Sequence, residues 1–333
     1  MAIKQNLLKN YYLKKFFKLL PFLISLLIIY LLYRSVEINN LKELLLDSNK
    51  FVLLFALSIS LFLGIIGGFR YSFFGRTLGI SPCPVINVSI RSYFICSAFN
   101  ILLPSKIGDL SKSFICEKIS KKKYNKKLFI YTIYEKVSDL FALLIIYDFI
   151  YLISFKLNIF NNELFEKIKS IIYKNNVIPF SIFTITVLIF FIIYPHLLPR
   201  LKINSSNLLS EKIKLILNFN ASLNKKNFFL YHGFSILIWI LHLFQICLFA
   251  QSINMNLWSI EGFSTIVITI LFGLLPISFA GIGTREALLM FLLSGIYGNL
   301  KPLILGFLMT TRYIIPALVG VFYLKDFYND LKK

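Results

Sequence analysis

Acidic residues are scarce in this sequence. Aspartate and glutamate number 15 in 333 residues, against 36 lysines and arginines, and all charged residues together make up 15%. So little charge excludes an ordinary soluble domain. Cysteine is limited to Cys83, Cys96, Cys116 and Cys247, with no CxxC pair. A zinc or disulfide framework is therefore excluded, and the four read as apolar filler. His196, His232 and His242 have no metal-ligand spacing and read as interfacial or packing residues. No Gly-rich nucleotide loop, serine nucleophile elbow or metal motif occurs, so neither a cofactor nor a catalytic residue is expected.

What the chain has is grease: 57% hydrophobic residues and a mean hydropathy of +0.75. The apolar runs are too long for buried strands. The fold class expected is all-α, a polytopic helical membrane protein. Six runs approach the roughly 20 residues needed to span a bilayer: Phe16–Tyr33, Phe51–Phe73, Leu128–Phe155, Val177–Leu198, Phe228–Ser252 and Leu303–Leu324. The first follows Lys4, Lys9, Lys14, Lys15 and Lys18 without a small-residue cleavage site, and reads as an uncleaved anchor. Residues 1–18 form a basic N-terminus, 19–325 a single transmembrane domain and 326–333 a tail.

The net charge of +21 is distributed by loop, which argues against nucleic acid. With the N-terminus cytoplasmic, segments 1–18, 74–84, 105–127, 199–227 and 325–333 hold 23 Lys or Arg. Segments 34–50, 156–176, 253–260 and 298–301 hold 8. That bias obeys the positive-inside rule and predicts a multi-pass inner (plasma) membrane protein with both termini cytoplasmic. The patch "KISKKKYNKK" then faces anionic lipid. "INNLKELLL" and "NLLSEKIKLIL" read as helices lying on the membrane surface.

Two apolar segments, 85–103 and 262–297, fit this count only as re-entrant hairpins that leave on the side they entered. Broken backbone at membrane depth survives only against protein or a watery cavity. Pro104 and Pro276, with Gly108, Gly281 and Gly283, supply the break: proline removes a donor and glycine permits unusual dihedrals. "NILLPSKIGDLSK" (100–112) and "GLLPISFAGIGTRE" (273–286) echo each other. The spans around them run in opposite senses, so about 51–155 and 228–324 are expected to be inverted repeats, the architecture of alternating-access transporters.

Charges inside apolar sequence complete the reading. Arg70 and Lys136 lie where they can snorkel to the interface. Arg91, Arg285 and Arg312 lie deeper, as do Glu135 and Asp139, four apart and on one helix face. Each charge facing lipid at the bilayer centre costs about 2.5–3.5 kcal/mol, so these must face one another or a hydrated cavity. Either Arg312 pairs with Asp139 or Glu135 to lock helices, or the groups line a chamber for a lipid headgroup. In the second case Arg91, Arg285 and Arg312 contact the anion, for which arginine geometry is suited. Glu135, Asp139 and Glu286 are then counter-ions, with Asp109 and Lys112 at the cytoplasmic mouth.

"FNILLPSKIGDLSK", "YEKVSDLFALL", "SILIWILHLFQICLFAQSINM" and "LLPISFAGIGTREALLMFLL" together resemble the flippase-like transmembrane domain of bacterial lysyl-phosphatidylglycerol synthases, over roughly residues 20–325. Ile107–Gly108 and Ala280–Gly281 stand where that family usually carries two glycines. The resemblance implies translocation of an aminoacylated phospholipid, or another lipid-linked anionic substrate, between leaflets. Those synthases carry a soluble aminoacyl-transferase domain after the membrane part, whereas this sequence runs out at "KDFYNDLKK". A transporter, rather than an enzyme that charges its own lipid, is therefore expected. The rival is a non-transporting subunit that presents lipid to a separate glycosyl- or aminoacyl-transferase. No oligomeric state follows from the sequence.

Overall fold

The computed structural model describes residues 23–32, 34, 42–44, 46–77, 83–102, 104–122, 124, 126–156, 185, 225–274, 278 and 281–332. The expected span Val177–Leu198 apart from Ile185, the surface stretch at 207–217, His196 and Pro276 lie outside these residues. Every element described is helical. In chain order they are α1 (Leu23–Leu32), α2 (Lys50–Thr77), α3 (Ile86–Leu102), a 3₁₀ helix (Pro104–Ser111) and α4 (Lys112–Ser120). Then follow α5 (Lys126–Lys156), α6 (Lys225–Ser252), α7 (Ile260–Leu274), α8 (Thr284–Tyr297) and α9 (Leu300–Lys332). Among the described residues, three helices are long and apolar enough to cross a membrane: Lys50–Thr77, Lys226–Ser252 and Leu300–Lys325. Helix α5 matches them in length at 31 residues but carries Glu135, Lys136, Asp139 and Asp148 within its apolar run.

The bundle is turned inside out relative to a soluble protein. On α2, Ala56, Ser60, Leu63, Gly64, Gly67, Gly68, Arg70 and Tyr71 are buried, while Phe51, Phe55, Phe62 and Phe69 are exposed. Small residues face inward because hydrocarbon offers no hydrophobic penalty, and close backbone approach is what then holds helices together. A methyl at Gly68 would sit 2.5 Å from the Ile90 Cα on α3. Gly320 on α9 meets the Phe94 carbonyl of α3 even more closely. Helix α3 is thereby clasped between α2 and α9, and α6 packs on α2.

The hairpin expected within 85–103 is instead one continuous helix of 17 residues over 86–102. The break falls at the proline singled out in the sequence, over Pro104–Ser111, where proline cannot continue the hydrogen-bond ladder. This 3₁₀ segment folds back on the end of α3: a Cβ at Gly108 would lie 2.7 Å from both the Cys96 carbonyl and the Asn100 side chain. The second interruption separates α7 from α8. Gly281 and Gly283 adopt φ of 75° and 95° there, values that L side chains rarely tolerate. Gly281 abuts the Gly273 carbonyl of α7. In α9, Pro316 removes the N–H that would bond the Arg312 carbonyl one turn back.

Candidate functional site

The i, i+4 spacing of Glu135 and Asp139 puts both carboxylates on one face of α5, and the structure turns that face toward α2. Arg70, 3% exposed, lies between them. Its Nη2 donates to Glu135 Oε1 at 2.8 Å and its Nη1 to Asp139 Oδ1 at 2.7 Å. It also donates to Ser235 Oγ at 3.1 Å and to Asp139 Oδ2 at 3.3 Å. The second oxygen of Glu135 accepts from Lys112 Nζ at 2.6 Å. Lys112 is fully buried, with its ammonium 4.9 Å from the Tyr71 ring centre and 5.3 Å from that of Tyr93.

The network continues through α5. Lys136 Nζ lies 2.7 Å from Asp109 Oδ2 and 3.9 Å from Asp139 Oδ2. Asp109 Oδ1 accepts from Asn100 Nδ2 at 2.8 Å, while the Asp109 N–H donates to Asn100 Oδ1 at 3.1 Å. Asn100 thus ties the 3₁₀ break to the helix it folds back on. Below Arg70, Ser138 bonds both Ser235 and His232, and His232 bonds the Tyr134 hydroxyl at 2.9 Å. Taking ions out of water costs several kcal/mol each, offset only when partners satisfy them. Here each cation has a carboxylate and each carboxylate a cation.

The opposite wall is built differently. Glu286 Oε2 accepts from the Gly283 N–H at 2.6 Å and caps α8. Arg285, next in sequence and on another face, donates from Nε to the Gly281 carbonyl at 3.2 Å and from Nη2 to Thr310 Oγ1 at 2.9 Å. Its guanidinium also lies 5.8 Å from the Tyr313 ring centre. Arg312, 3% exposed, donates from Nη2 to the Tyr313 hydroxyl at 2.6 Å and sits 4.8 Å from that ring. Its Nε and Nη1 have no partner.

Between the walls lies a cavity of about 370 Å³. Arg70, Asp109, Glu135, Lys136 and Asp139 line one side; Gly273, Gly281, Arg312, Tyr313 and Pro316 line the other; Tyr93, Trp239 and His242 lie on its apolar and aromatic surfaces. Of the residues singled out in the sequence, Asp109, Glu135, Asp139, Gly281 and Arg312 meet at this space. Lys112 is paired with Glu135, and Arg285 and Arg312 both lie by the Tyr313 ring, though neither Lys112 nor Arg285 lines the space. Glu286 and Gly283 are occupied in the helix cap. Arg91 lies elsewhere, half-buried with its guanidinium 5.6 Å from the Tyr323 ring centre. Pro104 opens the 3₁₀ helix. Arg312 pairs with neither Glu135 nor Asp139, whose oxygens are taken by Arg70, Lys112 and Lys136.

Arg70 is the residue that the sequence reading missed. Snorkelling was expected; the side chain instead points into the bundle and joins both acids. The signal was present in "GIIGGFR": Gly67 precedes Arg70 by three residues, on the same helix face as a small-residue packing stripe. A charge on such a stripe faces protein, not lipid. Lys136 was likewise read as an interfacial cation and instead bridges Asp109 and Asp139. Among the described residues, no group of three His, Cys, Asp or Glu is arranged to hold a metal ion, and the four cysteines are free.

No curated protein and no solved structure matches the chain. A family model does: the lysylphosphatidylglycerol synthase TM region matches residues 18–320. That match takes in α1 to α8 and most of α9, with both walls of the cavity. An apolar helical bundle, charged groups gathered at an internal space and this match together place the protein in the membrane and in a family concerned with lipid modification or translocation. The chain belongs to the lysylphosphatidylglycerol synthase transmembrane-region family.

Proposed function

We propose that this protein is a lipid translocator, moving a lipid with an anionic headgroup between leaflets through the cavity at its centre. One observation carries the reading: Arg312 lines a space that ionised side chains also line, and two of its nitrogens, Nε and Nη1, are buried without a partner. Unsatisfied donors in a membrane interior cost free energy unless something fills the gap, and a lipid phosphate is an acceptor abundant at every bilayer surface.

Two parallels support alternating access. The cavity takes residues from about 51–155 on one side and from 228–324 on the other. In each half a glycine of the interrupted segment lies against the end of the preceding helix, Gly108 at Cys96 and Asn100, Gly281 at Gly273. In this proposal the halves are inverted repeats, both termini are cytoplasmic in the plasma (inner) membrane, and rocking of the halves exposes the cavity to each leaflet in turn. Arg312 is the direct anion contact. Arg285, its guanidinium 5.8 Å from the ring centre, helps to hold Tyr313 in place, and the Arg70–Glu135–Asp139 network keeps the facing wall rigid.

The test is reconstitution of the purified chain in vesicles with acyl-labelled fluorescent phospholipid and a membrane-impermeant quencher. The protein should speed exposure of inner-leaflet label, and Arg312→Ala should slow it about tenfold, the worth of a charge-assisted hydrogen bond. Unchanged transport in Arg312→Ala together with Asp139→Ala sinks the proposal. Lipid that binds without moving would instead favour a subunit presenting it to a separate transferase.

A further inference from the structure

The break between α7 and α8 holds a carboxylate unlike those of the ion network. Asp109, Glu135 and Asp139 each have a cation within 2.8 Å. Glu286, 0% exposed, has none among the described residues. Its Oε2 accepts from the Gly283 N–H at 2.6 Å, and its Oε1 is buried with no partner. Arg285 beside it in sequence is turned to the Gly281 carbonyl and Thr310. Charges on the helices packed around Glu286 are engaged elsewhere. On α9, Lys301 donates to the Asn254 carbonyl and Arg312 to Tyr313. Helix α7 carries only Glu261, in its first turn. Helix α1, which meets Gly283 through Ser25 and Ile28, has no charged residue, and its Tyr30 is exposed. At the far end of α8 itself, the Tyr297 hydroxyl donates to the Asn256 carbonyl.

What can neutralise this carboxylate is decided by room. A methyl at Gly306 would lie 2.5 Å from Glu286 Cγ and 3.1 Å from its Oε1. The carboxylate is pressed against bare main chain of α9, in the place a side chain would take. A metal ion needs several oxygen ligands around it; a proton needs one oxygen and no room. An ionised carboxylate buried on a single neutral donor is costly, and protonation removes that cost.

We propose that Glu286 is a proton-binding site and that its proton controls the break between α7 and α8. A hydronium ion gives its proton to the carboxylate: an O–H bond forms on Oε1, water leaves, and no other bond changes. The side chain then holds the Gly283 N–H through a neutral bond, roughly half as strong as the charge-assisted one. Gly281 and Gly283, both at positive φ, are free to change dihedrals once that hold weakens. Gly281 and Ser278 of the same break line the cavity. The loosened break is therefore both the door for the proton and a change in the cavity wall. Loss of the proton restores the charged cap and closes it. The proton site stands on Glu286 and Gly306 alone; the step from the break to lipid movement rests on the translocation reading, to which it adds a driving ion.

The full chain in detergent is compared in acidic and alkaline buffer by infrared difference spectroscopy. The parent should show a protonated-carboxyl C=O band, shifted in D₂O, that Glu286→Gln lacks. Glutamine keeps an oxygen for the Gly283 N–H, so the cap survives the substitution. Hydrogen exchange of the parent gives a reading that needs no variant. Corrected for the intrinsic effect of pH, the Gly283 amide should exchange about fivefold faster in acid, the difference between a charge-assisted and a neutral bond. In vesicles, an imposed pH gradient should change the rate of labelled-phospholipid exposure severalfold in the parent and not in Glu286→Gln. A carboxyl band common to parent and Glu286→Gln overturns the proposal, as does corrected exchange at Gly283 that ignores pH. Lipid that crosses at one rate with or without the gradient overturns the coupling. If band and exchange behave as expected while no lipid crosses, the proton site stands and translocation falls.

Discussion

The two walls of the cavity solve the same electrostatic problem in opposite ways. On the α2/α5 wall, Arg70, Lys112 and Lys136 are each matched by a carboxylate, and the matching is bought with sequence: six ionisable residues on four elements. On the α8/α9 wall, Arg285 and Arg312 are held by a carbonyl, a threonine hydroxyl and a tyrosine, all neutral. The first wall is closed by its own ion pairs. In the second, Arg312 Nε and Nη1 have no partner. A completed ion network stabilises the fold and resists change, whereas an arginine resting on neutral oxygens keeps its charge available for something that arrives later.

That contrast can be broken by substitution, with stability separating the walls from function. The largest effect is expected for Glu135→Ala, which strips a carboxylate from two buried cations at once. A loss on the order of 3–5 kcal/mol should appear as a collapse of the thermal transition or of the monodisperse peak in detergent. A near-parental melting temperature would show that the network is not what holds α2, α4 and α5 together. Next is Gly281→Ala, where positive φ and the nearby Gly273 carbonyl both oppose a methyl. About 1–3 kcal/mol should be lost, read from the same melt.

Arg312→Ala sharpens the comparison from the other side. Because no acid is orphaned, its melt should move by less than about 1 kcal/mol, while lipid movement falls about tenfold. A large destabilisation would mean that the second wall is as structural as the first. The smallest effect is expected at Gly233 on α6, where an added methyl meets nothing within 4 Å. Gly233→Ala should stabilise the helix by up to about 1 kcal/mol through propensity and leave transport as it was. A loss there would mean that the surface around Gly233 is covered in the working protein.

Much of the fold could be read from composition, because bilayer crossing imposes length and apolarity that no other constraint mimics. Phe51–Phe73, Phe228–Ser252 and Leu303–Leu324 fall inside α2, α6 and α9. The pairing of Glu135 with Asp139 on one face was equally legible, since it needs only helical periodicity. What sequence order hides is which cation comes to them. Arg70, Lys112 and Glu135 are 65 and 23 positions apart, and nothing local fixes their meeting. Loop counting sorted Arg70 and Lys136 by distance from helix ends, a criterion blind to the direction a side chain takes. The end of α3 was legible, because Pro104 marks it; that the 17 apolar residues before it run straight was not, because such a run gives no sign of whether it turns midway.

The contact of Gly320 with the Phe94 carbonyl has a mechanical meaning. Here main chain lies on main chain, with no side chain between to act as a cushion. A joint so thin cannot stretch or slide by a rotamer change, but it can pivot. If the halves rock, α3 and α9 form the axle, and a single methyl at position 320 would jam it.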